Sequence, residues 1–296
     1  MDLQEKQFEL DGVVFGLDCP VEVKSNGWVP GSAALRTQDI DNPTGDGVRP
    51  GRDFKGAATW SFSLFTNAQD ERGAWAAARD LARAWDNEET RLESGKLVPL
   101  RYRIAGETRV VYGRPRRWTI TPNNDSMQGK IEIEADFFIA DPIFYGDEVH
   151  TEEISVAVPL ELDAGLDVPF TPPFTTSAGA SVRESSVQIG GEISTPITVT
   201  FKGPLAVAAA RIGGWTAAVV DPIPAGEPNE VTIDARPWVR SATTRSGGGV
   251  RVSPRITRIS KMWLKPGHHA VVFTGDDITS TASVLVSWRE AYSTPR

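Results

Sequence analysis

The sequence predicts a mostly β protein of two domains, with one helix lying across the first sheet. Three observations carry this. Short apolar runs alternate with polar residues along most of the chain. These runs are separated by turn residues, with 27 Gly and 21 Pro among 296 residues. Only one stretch, about 68–88, shows a helical period.

The first elements are a hairpin. Phe8 and Leu10 alternate with polar neighbours, Asp11-Gly12 is a turn pair, and Val13–Phe15 form a short strand ending at Gly16. Val21 and Val23 mark the next strand. Residues 39–53, DIDNPTGDGVRPGRD, read as a turn-rich loop. Ala58, Trp60, Phe62 and Leu64 then alternate with Thr59, Ser61 and Ser63, which gives a strand with one buried face. Helical spacing follows: Asn67 is the expected N-cap, and Trp75, Ala78, Leu81 or Ala82, and Trp85 form the apolar stripe. Strands resume over 98–104, 109–112, 118–121 and 131–138, with a turn at Pro122–Asp125 joining the last pair.

The pattern then breaks at Asp141-Pro142 and Tyr145-Gly146, which sets the expected domains at 1–145 and 146–296. An irregular, Pro-rich lead-in covers about 159–179. Beyond it, strands are expected at 187–189, 197–201, 219–220, 231–233, 258–263, 270–273 and 284–288. Seven or eight short strands with no convincing helix suggest a sandwich or a jelly roll.

Composition narrows the function. A net charge of −8 argues against a general binder of nucleic acid or of anionic membranes, since both depend on Lys and Arg. The single cysteine, Cys19, forbids an internal disulfide and reads as a small, partly buried side chain. The acidic start MDLQEKQFEL lacks a signal peptide, and the longest apolar run, Leu205–Ala210, is too short to span a membrane. Synthesis and folding in a cytoplasm are therefore expected.

No catalytic pattern emerges, so the protein is expected to be no enzyme and to use no cofactor. HExxH, CxxC and GxSxG are absent. His268-His269 follows Pro266-Gly267 and reads as a solvated turn. Asp39, Asp41, Asn42 and Asp46 lack the ligand positions of a calcium loop and read as turn residues.

Two constellations stand out. Arg101, Arg103, Arg109, Arg114, Arg116 and Arg117 fall within 17 residues of an acidic chain. They read as a solvated strand face or as an ion-pair surface towards a neighbouring subunit, with nucleic-acid contact a third reading. On the subunit reading, charge reversal at Arg101 and Arg103 weakens assembly without unfolding the chain. Among nine tryptophans, Trp215 after Gly213-Gly214 and Trp238 after Pro237 are the two placed to be exposed, and so to stack on a sugar or anchor a partner. Half-buried packing is the alternative for both.

In order along the chain, these motifs resemble the distal tail protein (Dit) family of long, non-contractile-tailed bacteriophages, especially minor tail proteins of phages with actinobacterial hosts. The resemblance begins at Phe8-x-x-Asp11-Gly12-Val13-Val14-Phe15-Gly16. It continues through Asp46-Gly47, Pro50-Gly51-x-Asp53, the Trp75–Trp85 helix, Pro99-Leu100, Gly113-Arg114-Pro115-Arg116-Arg117 and Ala140-Asp141-Pro142-x-x-Tyr145. In the second half it rests on Thr195-Pro196-x-x-Val199-x-Phe201-x-Gly203-Pro204, Ile233-Asp234, Leu264-x-Pro266-Gly267-His268 and Val286-Ser287-Trp288-Arg289.

The resemblance implies an N-terminal β-sandwich carrying one packed helix and a C-terminal galectin-like or carbohydrate-binding-module-like jelly roll. It implies a structural subunit of the virion tail tip, six copies closing into a ring that joins the tail tube to the baseplate hub around the tape-measure protein. Part of the ring interface falls to Arg101, Arg103, Arg114, Arg116 and Arg117. The alternative is a carbohydrate-binding adhesion module on the host cell-surface glycan, with Trp215 and Trp238 as its stacking residues. Specific nucleic-acid binding and membrane insertion are not expected.

Overall fold

The computed structural model describes residues 2–155, 184–253, 256–275 and 281–296. The expected Pro-rich lead-in at 159–179 lies outside them. The chain folds into two compact units: Met1–Asp147 together with Tyr292–Arg296, and Glu148–Ala291. The second unit is thus an insertion, begun two residues later than the sequence suggests, and the last five residues belong to the first unit.

The first unit is built on β1 (Gln7–Leu10), β2 (Val13–Gly16), β3 (Val21–Pro30), four two-residue strands β4 (Leu35–Arg36), β5 (Ile40–Asp41), β6 (Val48–Arg49) and β7 (Phe54–Lys55), then β8 (Ala58–Thr66), β9 (Val98–Ile104), β10 (Glu107–Thr121) and β11 (Glu132–Gly146). The main sheet is antiparallel and runs β2-β1-β9-β10-β11-β8-β3. β2 and β3 end that path yet touch each other, so the sheet folds over on itself into a sandwich-like layer pair. Asp11 (φ 49°) and Gly12 (φ 78°) form the expected tight turn between β1 and β2. The two strand pieces read at 109–112 and 118–121 are one strand. Register shifts around Tyr112 and between Pro115 and Trp118 interrupt the alternation that sequence reading depends on.

Helix α1 is shorter than expected, Glu71–Trp85, and its N-cap is Asp70, which accepts from the Gly73 N–H at 2.8 Å. Asn67 instead spends its side chain on Glu22 at 2.7 Å. A second helix, α2 (Glu88–Leu92), follows after the Asn87 cap. The buried stripe is Ala74, Ala78, Leu81, Ala84 and Trp85, whereas Trp75 is exposed. One residue of phase accounts for the difference, because Ala74 and not Trp75 begins the i, i+4, i+7 row that faces the sheet. The stripe seats on a core that includes Phe8, Phe15, Trp60, Phe62, Leu100, Tyr102 and Phe137. The expected turn after β10 is a 3₁₀ turn, Asn124–Gln128, capped by Asn123.

In the second unit, a six-stranded sheet runs β12 (His150–Ser155), β21 (Ser283–Trp288), β14 (Thr195–Lys202), β17 (Val231–Asp234), β18 (Ser241–Thr244), with β19 (Trp263–Leu264) beside β14. A four-stranded sheet runs β13 (Glu184–Ile189), β20 (Gly267–Gly275), β15 (Ala208–Ile212), β16 (Trp215–Val219). One apolar core draws on both sheets, including Phe201, Phe273, Ile212, Val271 and Val286, as a jelly-roll-like sandwich requires. The strand expected over 258–263 is absent: Ile259–Lys261 is a 3₁₀ turn and only Trp263–Leu264 are extended.

Beside the pairing of the C-terminal return with β11, two side-chain contacts tie it to the first unit. The Arg109 guanidinium, on a side chain 9% exposed, lies 3.6 Å from the centre of the Tyr292 ring. The Tyr102 hydroxyl donates to the Pro295 carbonyl at 2.9 Å. A desolvated cation–π contact is worth ~2 kcal/mol, so Tyr292→Ala is expected to lower the stability of the first unit by about that amount. Calorimetry that separates the unfolding of the two units measures it, and the second unit's transition should stay in place.

Candidate functional site

Two features of the first unit stand apart from its core. The first is a ribbon over residues 31–57, carried between the ends of β3 and β8. β4 pairs with β7 and β5 with β6, which makes a narrow two-stranded arm. Asn42 closes its tip by donating its N–H to the Gly47 carbonyl at 3.0 Å. Its middle is tight: Gly51 donates to Asp39 Oδ1 at 2.8 Å, and a Cβ on Gly51 would fall 1.8 Å from the Gln38 carbonyl oxygen. The ribbon exposes its apolar side chains. Leu35 is 63% exposed, Ile40 66%, Val48 55% and Phe54 41%. The loop expected over residues 39–53, from the turn signal of its Pro, Gly, Asn and Asp residues, is part of this ribbon. The overlooked sign was the set of apolar residues at 35, 40, 48 and 54, which a solvated loop has no need of.

The second feature is the arginine cluster, whose members divide into internal and outward-facing groups. Arg101 is internal. Its Nε and one terminal nitrogen grip both oxygens of Asp147 at 2.7 and 2.6 Å, and its other terminal nitrogen meets Glu9. Donation to the Asp147 carboxylate holds its pKa above the ordinary arginine value. Arg114 is also internal, donating to the Lys96 carbonyl at 2.7 Å and to the Glu93 carbonyl. Arg103 donates to the Thr108 hydroxyl at 3.3 Å. Arg109 is buried under Tyr292. Only Arg116 and Arg117 are exposed and make no ion pair among the described residues. Arg116 lies over the Phe138 ring at 5.2 Å, and Arg117 donates to Thr119 at 3.5 Å. Arg101 thus spends three of its donors on two carboxylates of its own chain and is not the free cation that the interface expectation starts from. Sequence reading had no means of pairing residues 92 and 46 positions apart.

Arg114 and Arg116, with Arg91, Trp85 and Trp118, also line a cationic cleft of about 440 Å³. A second cleft, of about 520 Å³, lies between β1, β3 and β9.

The two tryptophans singled out for stacking differ in their placement. Trp215 is 5% exposed. It begins the alternating inward face of β16 and packs in the core, so it offers no ring to a sugar. Trp238 is half-buried, with the Arg236 guanidinium 5.9 Å from its ring centre and Arg236 itself held by Asp234 at 2.9 and 3.0 Å. His268 and His269 sit on β20, not on a turn, and His269 Nε2 lies 2.7 Å from the Lys265 carbonyl. Among the described residues, no group of three or more His, Cys, Asp or Glu is arranged to hold a metal ion. No helix among them is long and apolar enough to cross a membrane.

The division of the arginines leads to a paired prediction. Arg101→Ala removes the hydrogen bonds to Asp147 and Glu9, both partly buried, and is expected to destabilise the first unit by about 1–3 kcal/mol. Arg116→Glu with Arg117→Glu is expected to leave the denaturation midpoint unchanged within about 0.5 kcal/mol, since neither side chain holds the fold together. Urea titrations of the variants check both.

Neither a protein-family model nor a curated protein sequence matches the chain. Solved structures do. The distal tail protein Dit (gp 19.1) of phage SPP1, described as a paradigm of the hub adsorption apparatus in phages infecting Gram-positive bacteria, is similar at a TM-score of 0.56 and 14% identity, over 96% of this chain and 98% of that one. A chain of the phage P2 baseplate in its activated conformation with calcium is similar at 0.55 and 12% identity, over 96% and 97%. The strontium form of the p2 baseplate gives 0.55 and 13%, over 95% and 97%. This likeness spans both units and shows that the chain has the fold of these phage distal-tail and baseplate proteins.

Proposed function

We propose that the chain is a non-enzymatic structural subunit of a phage tail tip, assembling with copies of itself into a closed ring, expected to hold six, between the tail tube and the baseplate hub. The shared fold supports the tail-tip setting. The exposed ribbon carries the argument for self-assembly, because it has no core of its own and gathers four exposed large apolar side chains, Leu35, Ile40, Val48 and Phe54, into one two-stranded arm.

A magnitude sets what the ribbon can do. Each of these side chains is worth about 1.5–3 kcal/mol when fully buried, so covering the half-exposed set yields roughly 3–6 kcal/mol. Association costs about 4–15 kcal/mol in lost freedom. One ribbon at most offsets the low end of that cost. A closed ring, in which every subunit both gives and receives a ribbon and charged groups such as Arg116 and Arg117 add to the contact, can exceed it. A heterologous contact of this kind must close or it propagates into a filament.

Light scattering on a sizing column, followed by negative-stain imaging, tests the reading. Six copies of the 32.1 kDa chain give a ring of roughly 190 kDa. Replacing residues 32–56 by a short Gly–Ser linker is expected to leave folded monomers. Rings that persist without the ribbon contradict the reading.

A further inference from the structure

We infer that the cleft at the open seam of the first sheet is the socket for the ribbon of a second copy of this chain, an inference that rests on the self-assembly reading above. The seam is where the folded-over sheet fails to close. β1 and β9 stand on one side and β3 on the other, with Leu17 just after β2, and the cleft of about 520 Å³ opens between them. Its apolar wall comes from Phe8, Leu17, Val23, Trp28 and Ile104. It lies where the β3–β8 ladder is interrupted: pairing skips from Val23 to Trp28, and Asn26 takes φ 60°. Trp28 also carries a buried indole N–H with no acceptor among the described residues. Leu17 is 47% exposed at the rim.

Charge selects the occupant. Lys6 and Lys24 stand on the cleft wall; Lys24 pairs with Glu132 at 2.9 Å, and Lys6 makes no ion pair among the described residues. The ribbon tip has the complementary pattern. Ile40 is flanked by Asp39 and Asp41, and Val48, paired in register with Asp41, follows Asp46 by two residues; Arg49, paired in register with Ile40, is the tip's one cation, so residues 39–49 carry three carboxylates against one guanidinium. An apolar pair bordered by carboxylates thus meets an apolar wall bordered by ammonium groups. The narrow two-stranded ribbon also suits a slot between strands, where sheet edges accept extended chain.

Engineered cysteines on the full chain test the socket. In a Cys19→Ser background, Leu17→Cys and Ile40→Cys are combined and oxidised mildly, and products are read on a non-reducing gel. A ladder of linked chains is expected, at least tenfold stronger than from Ile40→Cys combined with Val207→Cys, which places the partner thiol on an exposed site of the second unit. In cysteine-free protein, Lys6→Glu is expected to weaken association at least tenfold, and adding Asp41→Lys to restore it. A link within single chains, equal linking at position 207, or no rescue by the charge swap overturns the socket. Association of normal strength without the Leu17–Ile40 link overturns the socket while self-assembly stands. A chain that stays monomeric at all concentrations overturns both.

Discussion

The aromatic cluster inside the first sheet is the constraint on which the rest of the structure depends. Phe8 meets Phe15, Trp28, Phe62 and Tyr102 with ring centres 5.2–6.2 Å apart, and Trp28 meets Trp60 at 5.2 Å. These rings come from β2, β1 and β9 at one end of the sheet path and from β8 and β3 at the other, so packing the two groups together requires the sheet to fold over. Folding over brings the edge strands β2 and β3 into contact and leaves the seam between them. It also fixes the direction in which β3 and β8 leave the core, and hence where the ribbon starts.

Charge is arranged around that core by the same economy. Arg101 sits where its strand crosses Glu9 and reaches Asp147, so it is consumed in holding β1, β9 and the end of the first unit together. Arg109 is covered by Tyr292. The charged groups that make no ion pair among the described residues include Arg116 and Arg117 on β10, Lys6 at the seam, and Asp41 and Asp46 on the ribbon. A cluster that reads as one surface in sequence is, in space, a structural group and an outward group.

Regular elements were legible because period and packing agree in them. The β1–β2 hairpin, β8, β9, β14, β17 and β21 lie where alternation places them, since one face of each is buried and the other is not. Where the two diverge, sequence reading failed. β15 was not foreseen because Ala208, Ala209 and Ala210 carry little strand signal, and the sheet holds them through register with β16 and β20. The ribbon strands were hidden by the turn residues that shape the ribbon. Trp215 looked exposed after two glycines, yet those glycines, at φ 53° and 94°, only turn the chain so that the ring enters the core. The fold class was therefore readable from pattern. The candidate site was not, because it depends on which side chains remain unused after the fold is made.

The central claim is that the ribbon is made to be covered by another copy of the chain. Hydrogen exchange, measured on the monomeric and the assembled protein under matched conditions, addresses it most directly. The account predicts that amides over residues 35–55 exchange fast in the monomer and gain strong protection on assembly, while β8, β10 and β11 keep the same protection in both states. Equal exchange of the ribbon in the two states would contradict it.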